Sequence, residues 1–224
     1  MNPIGFETSS RLLVASQEDL NRSFPGNKNG SLAERIAEKI FTKIIETKPS
    51  LVLDLHNDWI KSVPYALIDP YPGLKHKEVY EATKKFSQES GFLVINEQET
   101  ADDADELRKT LSGSLIKRNI PALTFELSES YIINEQFVDD GLKSIWNILA
   151  SLQMVEPEPE KFSHPSLKSF EGKILKYSHL PTSSSSGIVR FLIKPGTAVK
   201  KGQPLARVYN VFGRHEETIL AIAV

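Results

Sequence analysis

The sequence contains no cysteine, which excludes disulfides, thiolate nucleophiles and zinc sites built on cysteine. It also has no apolar run near the roughly 20 residues that a membrane-spanning helix needs, so no membrane partner is expected. The 27 lysines and arginines nearly balance the 29 aspartates and glutamates, and no basic cluster with interleaved aromatic residues occurs. A nucleic-acid partner is therefore not expected. The first residues lack the basic and apolar stretches of a secretory signal, so we predict a cytoplasmic protein.

Helix and strand patterns alternate along the chain up to about residue 154. One helix is predicted to begin at Ser31, which forms a capping box pattern with Glu34. Apolar spacing predicts that this helix extends to Ile45, and it predicts three more helices, at about 75–90, 103–118 and 135–153. Three short apolar runs have the character of buried strands: Leu51–Leu55, Phe92–Ile95 and Pro121–Leu127. This alternation predicts an α/β fold with a mainly parallel sheet flanked by helices.

The composition changes at Val155–Glu160, where two prolines stand among glutamates, a pattern typical of a stiff linker. Four short strand-like runs lie beyond it: Ile174–Tyr177, Ile188–Ile193, Leu205–Val211 and Thr218–Val224. We therefore predict an α/β domain at 1–154, a linker at 155–166 and a small all-β domain at 167–224.

Ionisable residues stand at the ends of two predicted strands. His56 ends the first strand, with Asp54 on the same side because side chains alternate, and Glu126 lies near the end of Pro121–Leu127. Ligands of α/β sheets gather at the carboxyl ends of strands, so His56 is a candidate metal ligand and Glu126 a candidate general base. Each has a simpler alternative. His56 would cap its strand through an ordinary hydrogen bond, and Glu126 would be a partly exposed strand end.

A polar loop at Asp19–Gly26 places Asn21 beside Arg22. An amide and a planar guanidinium suit a substrate carboxylate, which the guanidinium can bind through two N–H groups. The alternative interpretation is a turn with a solvated arginine.

These segments occur in the order found in one enzyme family. Asn2–Phe6, Arg11, the Asp19–Gly26 loop, Asp54–His56 and Pro121–Leu127 together resemble the succinylglutamate desuccinylase/aspartoacylase family. The resemblance continues near the end of the chain, in Pro195-Gly196, Val199–Gln203 and Phe212-Gly213. It implies a zinc carboxypeptidase-like fold followed by a small all-β domain.

The resemblance also implies a role for each candidate residue. His56 resembles a zinc ligand, and Glu126 resembles the general base that activates the zinc-bound water and later protonates the leaving amine. Asn21 and Arg22 resemble the pair that holds the substrate carboxylate, and Arg11 resembles the arginine that polarises the scissile carbonyl. The implied reaction is zinc-dependent hydrolysis of the amide bond of an N-acyl amino acid, a small-molecule substrate.

One part of the family pattern is missing. The family's other two zinc ligands come from a His-x-x-Glu motif upstream of the Asn-Pro segment, and this sequence contains no such motif. A catalytic zinc takes three protein ligands and a water, so His56 does not hold it alone. Three interpretations stay open: a fragment of an active enzyme, a metal-free carboxylate-binding protein of the same fold, or metal ligands supplied by another chain or an unexpected residue. Loss of the first strands also predicts lower stability, or self-association into a homo-oligomer, through an exposed sheet edge.

Overall fold

The computed structural model describes residues 2–58, 60–71, 73–97, 109–165, 168, 170, 173–178 and 180–222. Five α-helices lie in these residues: α1 (Pro3–Glu7), α2 (Leu32–Glu46), α3 (Lys77–Glu89), α4 (Leu111–Ile116) and α5 (Glu135–Ser151). The same described residues contain eight strands: β1 (Val52–His56), β2 (Tyr65–Ile68), β3 (Leu93–Asn96), β4 (Ala122–Glu126), β5 (Ile174–Lys176), β6 (Ile188–Phe191), β7 (Pro204–Tyr209) and β8 (His215–Leu220). No helix in the described part of the chain is long and apolar enough to cross a membrane.

The first sheet has the strand order β1-β4-β2-β3-β5. Three of its pairings are parallel, and β2 runs antiparallel to β4. The second sheet is antiparallel, with the order β6-β7-β8. These two sheets confirm the predicted α/β fold with a mainly parallel sheet and a separate small β sheet.

Helices cover both faces of the first sheet. On one face, Ala37 and Phe41 of α2 and Leu115 of α4 pack against Ala122 of β4. On the other face, Leu123 and Phe125 of β4 form a cluster with Ala66, Phe92 and Ile148. Burial on both faces explains why most residues of the central strands β2, β3 and β4 are apolar.

The predicted capping box at the start of α2 is present. The Ser31 hydroxyl accepts a hydrogen bond from the Glu34 backbone N–H at 3.3 Å, and the Glu34 carboxylate accepts one from the Ser31 N–H at 2.8 Å. These two bonds satisfy N–H groups that otherwise lack a partner at a helix start.

The strand predicted at Ile174–Tyr177 does not belong to the small β sheet. It forms β5, which pairs in parallel with β3, Asn96 lying opposite Lys176. This pairing corrects the placement of the strand, because the local sequence predicts a strand without specifying its partner. The domain boundaries themselves stay a prediction.

The predicted helix at 103–118 is described only in part, as α4, because residues 98–108 lie outside the described residues.

The end of the predicted linker is packed against the α/β sheet. Phe162 contacts Phe92 edge to face at 5.8 Å between ring centroids, and its carbonyl accepts a hydrogen bond from Asn147 of α5 at 2.9 Å. His164 donates its backbone N–H to the Gly91 carbonyl at 2.8 Å. Phe162 and His164 of this segment are therefore held in place by ring packing and hydrogen bonds.

Candidate functional site

His56 and Glu126 lie side by side at the carboxyl ends of β1 and β4. The two residues are directly paired in the parallel ladder, so their side chains leave the same face of the sheet. Two residues earlier, Asp54 and Thr124 form the next pair on this face. The sheet register therefore brings the two predicted strand-end residues together.

Asp54 lies directly beside His56. Asp54 Oδ2 is 3.0 Å from His56 Nε2, and both side chains are largely withdrawn from solvent. Burial acts most strongly on the pKa of His56 and lowers it, but the hydrogen bond and charge of Asp54, with the charge of Glu126, outweigh burial and raise this pKa overall. The surroundings thus favour a protonated imidazole.

Glu126 carries a buried oxygen with no partner. Among the described residues, nothing forms a hydrogen bond to Glu126 Oε2. Burial raises the pKa of the Glu126 carboxyl from 4.5 to about 7, the charge of His56 opposes this shift, and the charges of Asp58 and Asp54 add to it. A carboxyl group in this setting accepts and releases a proton near neutral pH, and its vacant acceptor is free for a water or a substrate N–H.

Tyr65 and Asp58 extend the site, and sequence reasoning missed both. Tyr65 of β2 is paired with Glu126 across the antiparallel ladder, so Tyr65, Glu126 and His56 form one row. The Tyr65 hydroxyl donates to Asp58 Oδ2 at 3.1 Å, and Ser62 donates to the same oxygen at 3.0 Å. Burial and the charges of Glu126 and Asp58 raise the pKa of Tyr65, which keeps it a neutral hydrogen-bond donor. The only sequence signal was the aspartate two residues after His56.

Arg11 lies within electrostatic reach of this row. Its charge lowers the pKa of both His56 and Glu126. Arg11 Nε donates to Asp19 Oδ2 at 2.8 Å, and its side chain is 64% exposed. The remaining guanidinium N–H groups are therefore accessible to a ligand.

Asn21 and Arg22 lie on a short 3-10 helix, Leu20–Arg22. Asn21 Oδ1 accepts a hydrogen bond from the Leu111 N–H at the start of α4, at 2.9 Å, and Arg22 donates to the Asn21 carbonyl at 2.9 Å. Within the described residues, neither side chain forms a hydrogen bond or ion pair with His56 or Glu126. The structure thus fixes the Asn21 amide against α4 and does not join these two residues to the row.

Gly26 brings this loop against α2. Its φ is +89°, and a Cβ at this position would lie 2.1 Å from the Glu38 backbone nitrogen. Only glycine combines this backbone conformation with such a close approach. The end of the Asp19–Gly26 loop is thereby packed onto a helix that belongs to the core.

The described residues do not supply a complete set of metal ligands. Among them, no group of three or more histidine, aspartate or glutamate side chains is arranged to hold a metal ion. His56 could offer Nδ1, since the contact with Asp54 is made by Nε2. One such ligand does not meet the three-ligand requirement of a catalytic zinc.

Comparison with known proteins gives matches to one enzyme family. The family described as "Succinylglutamate desuccinylase/Aspartoacylase catalytic domain" matches residues 1–152. An N-alpha-acetyl-L-2,4-diaminobutyric acid deacetylase from Halomonas elongata is 24% identical over 204 residues, covering 86% of this chain and 54% of that protein.

Solved structures of the same kind share the fold. A succinylglutamate desuccinylase/aspartoacylase from Rhodobacter sphaeroides gives a TM-score of 0.74 at 17% identity, covering 97% of this chain and 64% of that one. The product-bound ectoine utilization protein EutE from Ruegeria pomeroyi gives a TM-score of 0.71 at 19% identity, covering 99% of this chain and 64% of that one. The chain thus spans about half of the deacetylase and under two thirds of these two solved chains.

Proposed function

This chain belongs to the succinylglutamate desuccinylase/aspartoacylase family, and on that basis we propose that it acts in hydrolysis of the amide bond of N-acyl amino acids. The observation that carries the proposal is the buried, unpartnered Oε2 of Glu126 beside His56 at the carboxyl ends of two paired strands. An unsatisfied buried acceptor is costly, and it is retained where a ligand completes it.

Glu126 is the general base in this proposal. Its pKa of about 7 lies near neutral pH, where a base both holds the correct protonation state and accepts a proton readily. The carboxylate takes a proton from the attacking water and returns it to the leaving nitrogen as the C–N bond breaks. The hydrogen-bonded pair of Tyr65 and Asp58 keeps the surroundings of Glu126 polar.

Arg11, Asn21 and Arg22 bind the substrate in this proposal. Arg11 has accessible N–H groups and acts electrostatically on Glu126, so it is suited to stabilise negative charge that develops on the carbonyl oxygen. Asn21 and Arg22 hold the carboxylate of the amino acid. The bond from Leu111 to Asn21 Oδ1 supports this role, because it leaves the Asn21 NH₂ group to donate to an anion.

Zinc dependence is a separate part of the proposal. The family resemblance makes His56 a ligand, and a bound zinc would supply a water activated at neutral pH. Since the described residues provide one such ligand rather than three, the others would come from a segment or chain outside them. The roles given to Glu126, Arg11, Asn21 and Arg22 concern this chain's own side chains.

Product analysis tests the hydrolysis. The purified protein, with and without zinc, is incubated with N-acetyl-L-2,4-diaminobutyrate, N-acetylaspartate and N-succinylglutamate, and the free amine is measured by mass spectrometry. We expect release from at least one substrate and a loss of about 100-fold or more in Glu126→Gln. Glu78→Gln, on the exposed first turn of α3, is the matched control. Full activity of Glu126→Gln would remove Glu126 from the role of base.

Metal analysis tests the zinc assignment. After equilibration with zinc and dialysis, we expect less than one tightly bound zinc per chain, because one histidine is a weak site. Stoichiometric zinc that disappears in His56→Ala would show instead that these residues complete a ligand set.

A second candidate is carboxylate binding without catalysis. It is favoured by the same observation that weakens the zinc site, namely that no three-ligand group exists among the described residues while Arg11, Asn21 and Arg22 are present. In that case calorimetry would detect N-acyl amino acid binding that is lost in Arg22→Gln, with no amine released over hours.

A further inference from the structure

A cavity of about 610 Å³ lies at the end of the first sheet opposite to His56 and Glu126. Because β2 runs antiparallel to β4, strand carboxyl ends occur at both ends of this sheet. His56 and Glu126 end β1 and β4, whereas the cavity collects the residues at the ends of β2, β3 and β5. Ligands of α/β proteins bind outside strand carboxyl ends, and this fold provides two such places.

The base of the cavity is apolar and aromatic. Ile68, Tyr80 and Val94 form a buried cluster, against which Ile174 packs. The Tyr80 ring is 6% exposed and meets the Tyr71 ring edge to face, with 5.1 Å between centroids. Tyr71 is 44% exposed, so one aromatic surface remains open to a ligand above a rigid base.

A polar rim stands above this base. Asn96 and Lys176 are paired across β3 and β5, so both side chains leave the same face. Asn96 Nδ2 donates to the Tyr80 hydroxyl at 2.5 Å, which fixes the amide. Lys176 forms no ion pair with another described residue, whereas Lys84 of α3 lies 3.2 Å from the Glu81 carboxylate. The Lys176 ammonium group at the rim is thus not held in an ion pair with another described residue.

We propose that this cavity binds a small carboxylate that carries a flat apolar group, with Lys176 receiving the carboxylate and Tyr71 contacting the flat group. The volume is in the range of small-molecule sites. A charge-assisted hydrogen bond favours an anion over its neutral analogue, and an aromatic face favours a flat partner. A single carboxylate fits better than a phosphate dianion, because Lys84 already has Glu81 as its partner and Glu97 also lines the cavity.

Titration of the ¹⁵N-labelled protein with benzoate tests this proposal, with benzamide as the neutral ligand of the same shape. We expect saturable shifts at Asn96 and Lys176 with benzoate and at least fivefold weaker binding of benzamide. Lys176→Gln is expected to weaken benzoate about fivefold to tenfold, and Tyr71→Leu to weaken both ligands. Lys173→Gln, on an exposed lysine that does not line the cavity, is the matched control.

The result is independent of the family reaction. Benzoate can also bind at Arg22, so Arg22→Gln is titrated in parallel and is expected to leave the shifts at Asn96 unchanged. Absence of saturable shifts at Asn96, equal affinity for benzamide, or undiminished binding by Lys176→Gln would each overturn the cavity assignment. Loss of the Asn96 shifts in Arg22→Gln would also overturn it. Failure of amide hydrolysis would not affect it.

Discussion

Glu126 occupies a position that costs folding free energy. Its carboxyl is buried, one oxygen has no partner among the described residues, and the charges that raise its pKa include those of two aspartates. Functional groups are often held in such surroundings, because the arrangement that suits the reaction differs from the arrangement that is most stable. The effect of this position on the free energy of unfolding can therefore be measured by substituting Glu126.

Removal of the Glu126 charge is expected to stabilise the protein at high pH. The folded-state pKa of about 7 exceeds the ordinary 4.5, so stability is lost as the pH rises between these values. Glu126→Gln should therefore gain about 1–3 kcal/mol over the wild type above pH 7 and little at pH 4. Urea unfolding at both pH values measures this difference. A gain that does not depend on pH would contradict the burial of the charge.

Asp54 is expected to control the protonation of His56. Because the Asp54 contact raises the pKa of His56 against the effect of burial, this contact stabilises the fold below pH 6.5 and is lost as the pH rises through the folded-state pKa. Asp54→Asn should lower the His56 pKa, which an NMR titration of the imidazole in metal-free protein measures. Asp139→Asn, in the exposed pair with Lys143, is the control and should have no effect.

At the scale of elements, local patterns predicted the long helices α2, α3 and α5 well, but they did not predict α1 or the strand pairings. The α2 helix carries its own start signal in Ser31 and Glu34, so sequence alone locates it. β2 has four residues and was not predicted, because so short a run has little periodicity. The direction of β2 and the partner of β5 depend on contacts distant in sequence. The position of Tyr65 beside Glu126 could not be predicted for the same reason. The positions of His56 and Glu126 at the carboxyl ends of their strands could be predicted, because each residue follows an apolar run in the sequence.

Gly26 provides a test of how the Asp19–Gly26 loop is held. Gly26 and Gly202 both have positive φ, but an added Cβ meets the α2 backbone at Gly26 and nothing within 4 Å at Gly202. Each alanine substitution is expected to lower the free energy of unfolding by about 1–2 kcal/mol, because alanine is strained at positive φ. Gly26→Ala should cost about 1–3 kcal/mol more, measured by thermal unfolding. Equal losses in the two variants would mean that the loop does not press on α2.

At the scale of the whole molecule, the first sheet has an edge at β1. In the described residues β1 pairs only with β4, and Leu55 on this strand is 51% exposed. An unpaired edge favours association with another chain. Self-association is expected from the sequence on the same grounds.

Leu55→Lys is expected to reduce self-association, because a charge on an edge strand opposes pairing with a second strand. Sedimentation velocity at several concentrations measures the shift toward monomer. Leu74→Lys is the control, since Leu74 is 85% exposed and lies on a 3-10 helix rather than on a strand of the first sheet. If both variants behave as the wild type, association does not involve this edge.

The anchoring of the chain on both sides of residues 178–182 limits how far the small β sheet can travel. On one side β5 is joined to the first sheet, and on the other the Ser183 hydroxyl and the Ser184 N–H bind Glu217 of β8. The segment that connects Tyr177 to Ser183 can span about 20 Å at full extension. The Pro-Glu segment at 155–160 lies upstream of both anchors, so its stiffness does not set this distance. The small sheet is therefore tethered close to Lys176, which lines the cavity at the ends of β2, β3 and β5.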